Sequence, residues 1–331
     1  MIKDCHSYIM KRIAGLAAIA AFAAAFALPV SLHAIEKPYA VAGTQMGETA
    51  YSLVNGMLVF QSDFGLRDGA VSAMKGVAMG VSPDLKIFDI THEIPAGKIW
   101  DAAFRLHQTV TYWPQGTVFV SVVDPGVGSS RSSIVALLES GHYIVTPDNG
   151  TITLLSDTVG IKEIRIIDEE TNRLPDSFGS NTFHGRDVYA YTGARLASKV
   201  INFEQVGPVI SKQPVKLKYS KPEAKNGIIH GCINITDVQY GNLWTDIGWD
   251  IMRKIRMAQG KKYNVSIQHN GKTVYSAILP FCKTFSDVPA GKPLLYVNSL
   301  GNLSIALNMG NFVKAYGISY GESWKITVSE K

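Results

Sequence analysis

The chain is poor in cysteine: three in 331 residues, at positions 5, 232 and 282. With Cys5 in an N-terminal leader-like segment, the other two can make at most one bridge, so a disulfide-stapled scaffold is excluded. No Cys or His falls at a spacing that would hold zinc, and no metal site is expected. Strong charge of one sign is also missing. The 32 basic and 27 acidic residues leave a net +5, and the Lys and Arg are scattered, without a basic stripe interleaved with aromatics. Nucleic acid is therefore not an expected partner. Outside the leader there is no internal repeat and no low-complexity tract, which excludes a solenoid.

Long apolar runs are absent except one. Lys11-Arg12 precedes an apolar stretch from Ile13 to Val30, followed by Ser31-Leu32-His33-Ala34. A positive start, an Ala-rich middle and a small-residue end read as a secretory signal peptide over residues 1–34, with Met10 as the more natural start. The expectation is an exported, periplasmic protein. An uncleaved anchor is the alternative, since the run approaches the length of a membrane span. After export Cys232 and Cys282 either pair or stand as two buried thiols.

Beyond the leader, residues 35–56 are polar and irregular, a linker or arm. Residues 57–200 alternate strands and helices. Strands are expected at Met57–Gln61, Lys86–Ile90, Thr117–Val123, Ser133–Leu138 and Tyr143–Thr146. Helices are expected over Asp68–Gly80, Lys98–Tyr112 and Asp187–Ser198. That alternation predicts an N-terminal α/β domain, a mostly parallel sheet with helices on both faces. Residues 201–225, rich in Pro and Lys, read as a linker. Residues 226–331 then change pattern, with short strands at Gly227–Thr236, Tyr263–Gln268, Thr273–Leu279, Pro293–Val297 and Ser323–Val328. Asn270-Gly271 marks a hairpin, and a small antiparallel β-barrel is expected.

Chemistry-bearing residues cluster in two runs of the first domain. Val-Val-Asp124-Pro125-Gly126-Val127-Gly128-Ser-Ser-Arg131 ends a hydrophobic strand in a sharp turn, and Thr182-Phe183-His184-Gly185-Arg186-Asp187 precedes a helix. Taken singly, Asp124 suits a turn, Arg131 a surface cation and His184 a core imidazole. On separate loops of one α/β sheet, the three point to a shared crevice. Asp63 follows the first strand in Ser62-Asp63-Phe64-Gly65. It reads either as a helix cap or as a carboxylate that accepts the two hydroxyls of a ribose. Arg186 and Asp187 read as an ion pair and an N-cap, and Asp148-Asn149-Gly150 as a structural turn. In the second domain Asp237-Val-Gln-Tyr240-Gly-Asn242-Leu-Trp244 crowds a carboxylate, an amide and two rings around one glycine, a combination suited to stacking on a flat ring. Tyr296-Val-Asn298-Ser299 ends a strand with polar groups.

Together these motifs resemble the S-adenosylmethionine hydroxide adenosyltransferase family, relatives of the fluorinase and chlorinase. The resemblance spans residues 57–328 and includes Met74-Lys75-Gly76-Val77, Asp89-Ile-Thr-His92-Glu-Ile, Pro147-Asp-Asn-Gly150 and Gly241-Asn242-Leu-Trp244-Thr. It implies an α/β domain followed by a β-barrel, and a homotrimer whose active sites lie between subunits. It implies S-adenosylmethionine as substrate, no cofactor, and hydrolysis to adenosine and methionine. Asp124, Arg131 and His184 match the water-activating trio, and Asp63 the ribose ligand. Tyr240, Asn242 and Trp244 match the adenine surroundings, Asp237 the partner of the methionine ammonium and Ser299 that of its carboxylate, with Tyr296 and Asn298 beside them. The halogenases carry Tyr in place of Asp124, and the fluorinase a long insertion between the positions of Arg131 and Pro147; both differences favour water here. Leu300 stands where the fluorinase has Arg, and Ile94–Lys98 lacks its aromatic ribose wall. The alternatives are an exported adenosine-binding protein without turnover and a chlorinase.

Overall fold

A computed structural model describes residues 54–331. The signal-peptide reading of residues 1–34, Cys5 and nearly all of the expected arm at 35–56 lie outside the described residues.

The first sheet has six strands in the order β2-β1-β3-β5-β4-β6. They are β1 (Met57–Ser62), β2 (Lys86–Thr91), β3 (Val118–Val122), β4 (Ser133–Leu138), β5 (Tyr143–Pro147) and β6 (Ile161–Ile166). β2, β1, β3 and β5 run parallel, while β4 is antiparallel to both neighbours. The central strands are apolar almost throughout because both faces are covered. Leu58 and Phe60 of β1 pack on one face with Met74 and Ala78 of α1 (Ala70–Val81) and Ala190 and Ala194 near α4 (Tyr191–Ala197). Val59, between them, packs on the other face with Leu106 of α2 (Ile99–Thr109) and Leu155 of α3 (Thr153–Thr158). Gly193 sets the spacing of α4 on the sheet, since a Cβ there would lie 2.5 Å from the Val120 side chain.

The second sheet is antiparallel, in the order β11-β10-β14-β8-β9-β13-β12, with the short β7 (Glu223–Lys225) on β8. β8 (Ile228–Thr236) serves both halves, pairing with β14 (Trp324–Glu330) through residues 228–232 and with β9 (Leu243–Gly248) through 233–236. β10 (Lys262–His269) and β11 (Lys272–Pro280) are joined by Asn270 and Gly271, both at positive φ (51° and 79°), the two-residue hairpin that the dipeptide foretold. β12 (Pro293–Val297) and β13 (Asn302–Leu307) complete the path. A bridge between Phe281 and Leu295 brings its two ends together, so the barrel is nearly closed.

Several elements were missed or misplaced in the sequence. β6 carries Lys162, Glu163 and Arg165, the charges of an edge strand, which mask its three isoleucines. β9 begins directly after Gly241-Asn242, so its turn was read and its strand was not. The helices α3, α5 (Trp249–Lys254) and α6 (Phe312–Tyr316) are too short to show a period, and β13 was passed over. The segment after residue 200 is strapped to the first domain: Val215 N–H donates to Asp148 Oδ1 (2.8 Å) and Leu217 N–H to Thr153 Oγ1 (2.9 Å). Cys232 and Cys282 are free and buried, which resolves the cysteine alternative in favour of two thiols.

Candidate functional site

β1 and β3 lie side by side, and both end at the same edge of the sheet. The carboxyl ends of parallel strands are where open α/β sheets bind ligands. Asp63 follows β1, Asp124 follows β3, and His184 opens the helical segment that packs across them. After Val123 the chain doubles back: Val127 N–H donates to Asp124 O (3.2 Å) and Ser129 N–H to Gly126 O (3.0 Å). Gly128 at φ +76° takes a conformation costly to other residues, and a Cβ there would lie 3.2 Å from Asn181 O. This double turn folds Arg131 onto Asp124.

The guanidinium grips the carboxylate with two hydrogen bonds, Nε to Oδ1 at 2.8 Å and Nη2 to Oδ2. Both side chains are largely shielded, at 5% and 11% exposure for Asp124 and Arg131. Arg131 Nη2 also lies 3.3 Å from His184 Nδ1. A guanidinium has only donors, so Nδ1 is the acceptor and the neutral ring carries its proton on Nε2. Burial lowers the His184 pKa. Glu169 and Asp124 oppose that shift, and Arg131 and Arg173 add to it. Nε2 is buried without a partner among the described residues. The sequence expectation that these three residues meet is thus met by geometry.

His184 is followed by a turn of π-helix, Gly185–Ala190, that runs into α4. The expected helix therefore starts two residues earlier than Asp187. Such turns recur at functional sites because they re-aim one side chain. Gly185 permits the close docking: a Cβ would sit 3.0 Å from Phe64 and 3.3 Å from Val122. Asp187 is buried and held by Arg186 Nε at 2.6 Å, a structural pair.

A cleft of about 490 Å³ opens over these groups, lined by Asp63, Asp124 and His184 with Phe64, Phe183 and Val122 as apolar wall. Asp63 is no helix cap, because α1 starts at Ala70 and it is Asp68 that accepts the Ala70 N–H (2.9 Å). Instead Asp63 Oδ2 accepts the Gly97 N–H at 2.8 Å, tying down the loop after β2, and the carboxylate lines the cleft. Next to it Ser62, His92 and Asp89 form a chain, Ser62 Oγ to His92 Nδ1 at 2.7 Å and His92 Nε2 to Asp89 Oδ1 at 3.1 Å. The arrangement has the composition of a nucleophilic triad, but Ser62 is fully buried and does not line the cleft. It holds the end of β1.

The second-domain candidates fall elsewhere. Asp237 shapes the β8–β9 turn, its Oδ1 accepting from Gln239 N (3.1 Å) and Tyr240 N (3.2 Å) and its Oδ2 from Asn242 Nδ2 (3.3 Å). Tyr240 projects outward at 67% exposure, and with Asn242, Phe285 and Met309 lines a 450 Å³ cleft on the barrel. Trp244, read from sequence as a stacking platform beside Tyr240, points the other way. It is on β9, buried against Phe104 of α2 in the same chain, with ring centroids 6.3 Å apart. Tyr296 is buried on β12. Asn298 is spent on its turn, accepting from Leu300 N (2.9 Å) and donating to Ser304 Oγ (3.0 Å), while Ser299 is exposed. No second-domain residue lines the cleft of the trio.

Sequence reading missed the groups behind Arg131: Ser133, Glu169 and Tyr189. One signal was available, because Ser133 is the only polar residue of β4. No group of three or more His, Cys, Asp or Glu among the described residues could hold a metal.

The family model for the N-terminal domain of SAM hydroxide adenosyltransferases matches residues 58–207, and that for their C-terminal domain matches 231–325. A protein of Methanocaldococcus jannaschii named (R)-S-adenosyl-L-methionine hydrolase is 34% identical over 268 residues, 80% of this chain and 93% of its own. A Thermus thermophilus protein of the same name is 32% identical, over 79% and 96% of the two chains. A fluorinase of Actinopolyspora mzabensis is 25% identical, over 82% and 97%. Among solved structures, an uncharacterized conserved protein from Thermotoga maritima superposes with a TM-score of 0.75 at 32% identity, over 83% of this chain and all of that one.

Proposed function

The chain belongs to the SAM hydroxide adenosyltransferase family, and from that premise we propose that it hydrolyses S-adenosylmethionine to adenosine and methionine. The observation that carries this reading is the joined Asp124–Arg131–His184 group at the wall of a cleft that also holds Asp63. The hydrolase relatives are named for the (R) epimer, and we take that epimer as the substrate here too.

Water attacks C5′ of the ribose in line with the sulfonium, which leaves as a neutral thioether. Such a leaving group needs neither a proton nor a Lewis acid, and the reaction calls for no cofactor. The barrier lies with the nucleophile, since neutral water is weak. The oxygens of Asp124 have lone pairs beyond those given to Arg131; they accept a hydrogen bond from the water and take its proton as the C5′–O bond forms and the C5′–S bond breaks. The Nε2–H of His184, otherwise without a partner, holds that oxygen as hydroxide character develops. Arg131 fixes both groups and touches neither substrate nor water. Asp63 accepts the ribose hydroxyls, and Phe64 and Phe183 dry the cleft.

One chain holds only part of a site in this reading. The cleft ends at first-domain residues, whereas Tyr240 and Asn242 line a separate, exposed cleft on the barrel. We propose a homotrimer in which the barrel turn of one subunit covers the trio of the next, bringing Asp237 and Ser299 to the amino-acid end of the substrate. Asn298 acts there by shaping its own turn, while Trp244 packs on Phe104 within its own chain. We further propose export to the periplasm; among the described residues no helix is long and apolar enough to cross a membrane.

The test is chromatography of products from separated (R) and (S) epimers, with and without chloride. Adenosine and methionine in equal amounts from the (R) epimer support the reading. A 5′-chloro nucleoside would make the protein a chlorinase, and tight binding without products would make it a binding protein.

A further inference from the structure

The Asp124–Arg131 pair is backed by polar groups in an otherwise apolar wall. Five of the six residues of β4 are Ile, Val, Ala or Leu, and the sixth is Ser133, 3% exposed. Its Oγ lies 3.2 Å from Arg131 Nη1, 3.1 Å from Glu169 Oε1 and 3.3 Å from Tyr189 Oη. Glu169 Oε2 accepts from Arg173 Nη1 at 3.2 Å, and Arg173 is anchored in turn on the Ser177 and Ser180 carbonyls. The Tyr189 ring lies under the Arg131 guanidinium, 5.6 Å from ring centre to Cζ. None of these four residues lines the cleft.

We propose that Ser133, Tyr189 and Glu169 are positioning residues for the reaction, a hydrogen-bonded arm that fixes the plane of Arg131 and sets a carboxylate behind His184. The proposal rests on the hydrolase reading of the cleft. Its logic begins with one proton. Ser133 has a single hydroxyl hydrogen, which goes to the strongest acceptor in reach, the Glu169 carboxylate. Its lone pairs are then directed at the Arg131 Nη1–H, while the Tyr189 oxygen, 3.3 Å away, is the other acceptor in reach of the Ser133 hydroxyl. Burial pushes the Tyr189 pKa up, so that the phenol stays neutral beneath the guanidinium.

With two nitrogens on Asp124 and the third on Ser133, and the ring of Tyr189 beneath, the guanidinium can neither tip nor slide. The Nη2–H aimed at His184 Nδ1 is fixed with it, and so is the side of the imidazole that carries the proton. A polar residue breaking an apolar strand at the one place that touches the site argues for use rather than packing. The charged groups that bear on His184 are Glu169, Arg131, Arg173 and Asp124, and among them Glu169 acts most strongly, favouring the protonated ring against the burial that disfavours it.

The experiment uses the full chain with Ser133→Ala, Ser133→Thr and Glu169→Gln. Steady-state hydrolysis of the (R) epimer is measured beside an NMR titration of the His184 ring, assigned with His184→Gln. Ser133→Ala is expected to lower kcat on the order of 10²-fold, the cost of a small misplacement of a catalytic group, with KM nearly unchanged, and Ser133→Thr to restore most of it. Glu169→Gln is expected to move the His184 midpoint to lower pH, and the acid limb of kcat with it. A loss confined to KM, or a His184 midpoint that stays put in Glu169→Gln, would overturn the proposal. If the unaltered protein turns over neither epimer, the hydrolase reading falls, while the titration still decides whether the arm acts on His184.

Discussion

Replacing Asp124 by Asn tests the site at its centre. The two side chains have the same shape, so the change removes charge and reverses one hydrogen bond. An amide NH2 facing the Arg131 fork sets donor against donor, and one of the two Arg131 contacts is lost. Arg131 keeps Ser133 and the Tyr189 ring but loses its counter-charge. Removing one partner of a well-buried ion pair costs about 3–5 kcal/mol. The lower end applies here, because Asp124 lines the cleft, where water can reach it. The chemical cost is separate. Loss of a group that polarises the nucleophile is worth roughly 10²–10⁴-fold in rate, or about 2.7–5.4 kcal/mol of barrier. The expected result is a kcat lowered by that factor with KM little changed, because the contact is made in the transition state and not to the nucleoside. Adenosine release measured at saturating substrate gives kcat, and urea unfolding of the same preparation gives the stability loss. A folded Asp124→Asn protein with unaltered kcat would refute the assignment, and so would a rate loss no larger than the unfolded fraction explains.

Four further outcomes are expected. His184 has its pKa lowered from 6.5 by burial and works as the neutral ring, so kcat holds at pH 6.5 and falls only as acid protonates the ring below that. A pH–rate profile with its acid limb above pH 6.5 would contradict this. Asp63→Asn should weaken adenosine binding by about 1.5–3 kcal/mol, the worth of a hydrogen bond to a charged group, as read by calorimetry; an unchanged Kd would leave Asp63 only its contact with Gly97. Asp246 is a largely buried carboxyl pushed up to about 7, with one oxygen unpartnered among the described residues. Its folded pKa exceeds the unfolded 3.8, so the stability it contributes is full below pH 3.8 and lost as pH rises toward 7. Asp246→Asn should raise Tm at pH 7, by on the order of 1–3 kcal/mol of stability, and flatten the pH dependence of Tm between those limits. Finally, Asp124→Ala and Tyr240→Ala subunits refolded together and assayed at substrate well below the KM of Tyr240→Ala should be more active than either alone, and verified mixed trimers without that gain would rule out a shared site.

The first domain was legible because its physics is local. Buried parallel strands read as apolar runs, and the turn at Asp124-Pro125-Gly126-Val127-Gly128 announces itself by residue type. The meeting of Asp124, Arg131 and His184 followed from their all lying on loops at one sheet edge. Trp244 was misread for a related reason. Composition placed it beside Tyr240, but residues on either side of a turn that enters a strand need not face the same way, and only packing on Phe104 reveals which way the ring goes. Ser133, Glu169 and Tyr189 are far apart in sequence and join only through folding. β6 was hidden by its charges.

The same buried Trp244 bears on how a shared site would be tested. Trp244→Ala would open a hole between α2 and the barrel of its own chain, where an aromatic truncation costs about 3–5 kcal/mol. An inactive Trp244→Ala subunit would therefore say nothing about a neighbour's site. Tyr240 is the cleaner probe, since at 67% exposure its ring supports nothing within its own chain. If the ring covers the next subunit's cleft, Tyr240→Ala leaves Tm in place and weakens substrate binding. If the site were complete within one chain, the same substitution would leave both in place. The two arrangements differ in KM at constant stability, which distinguishes them before any mixed oligomer is made.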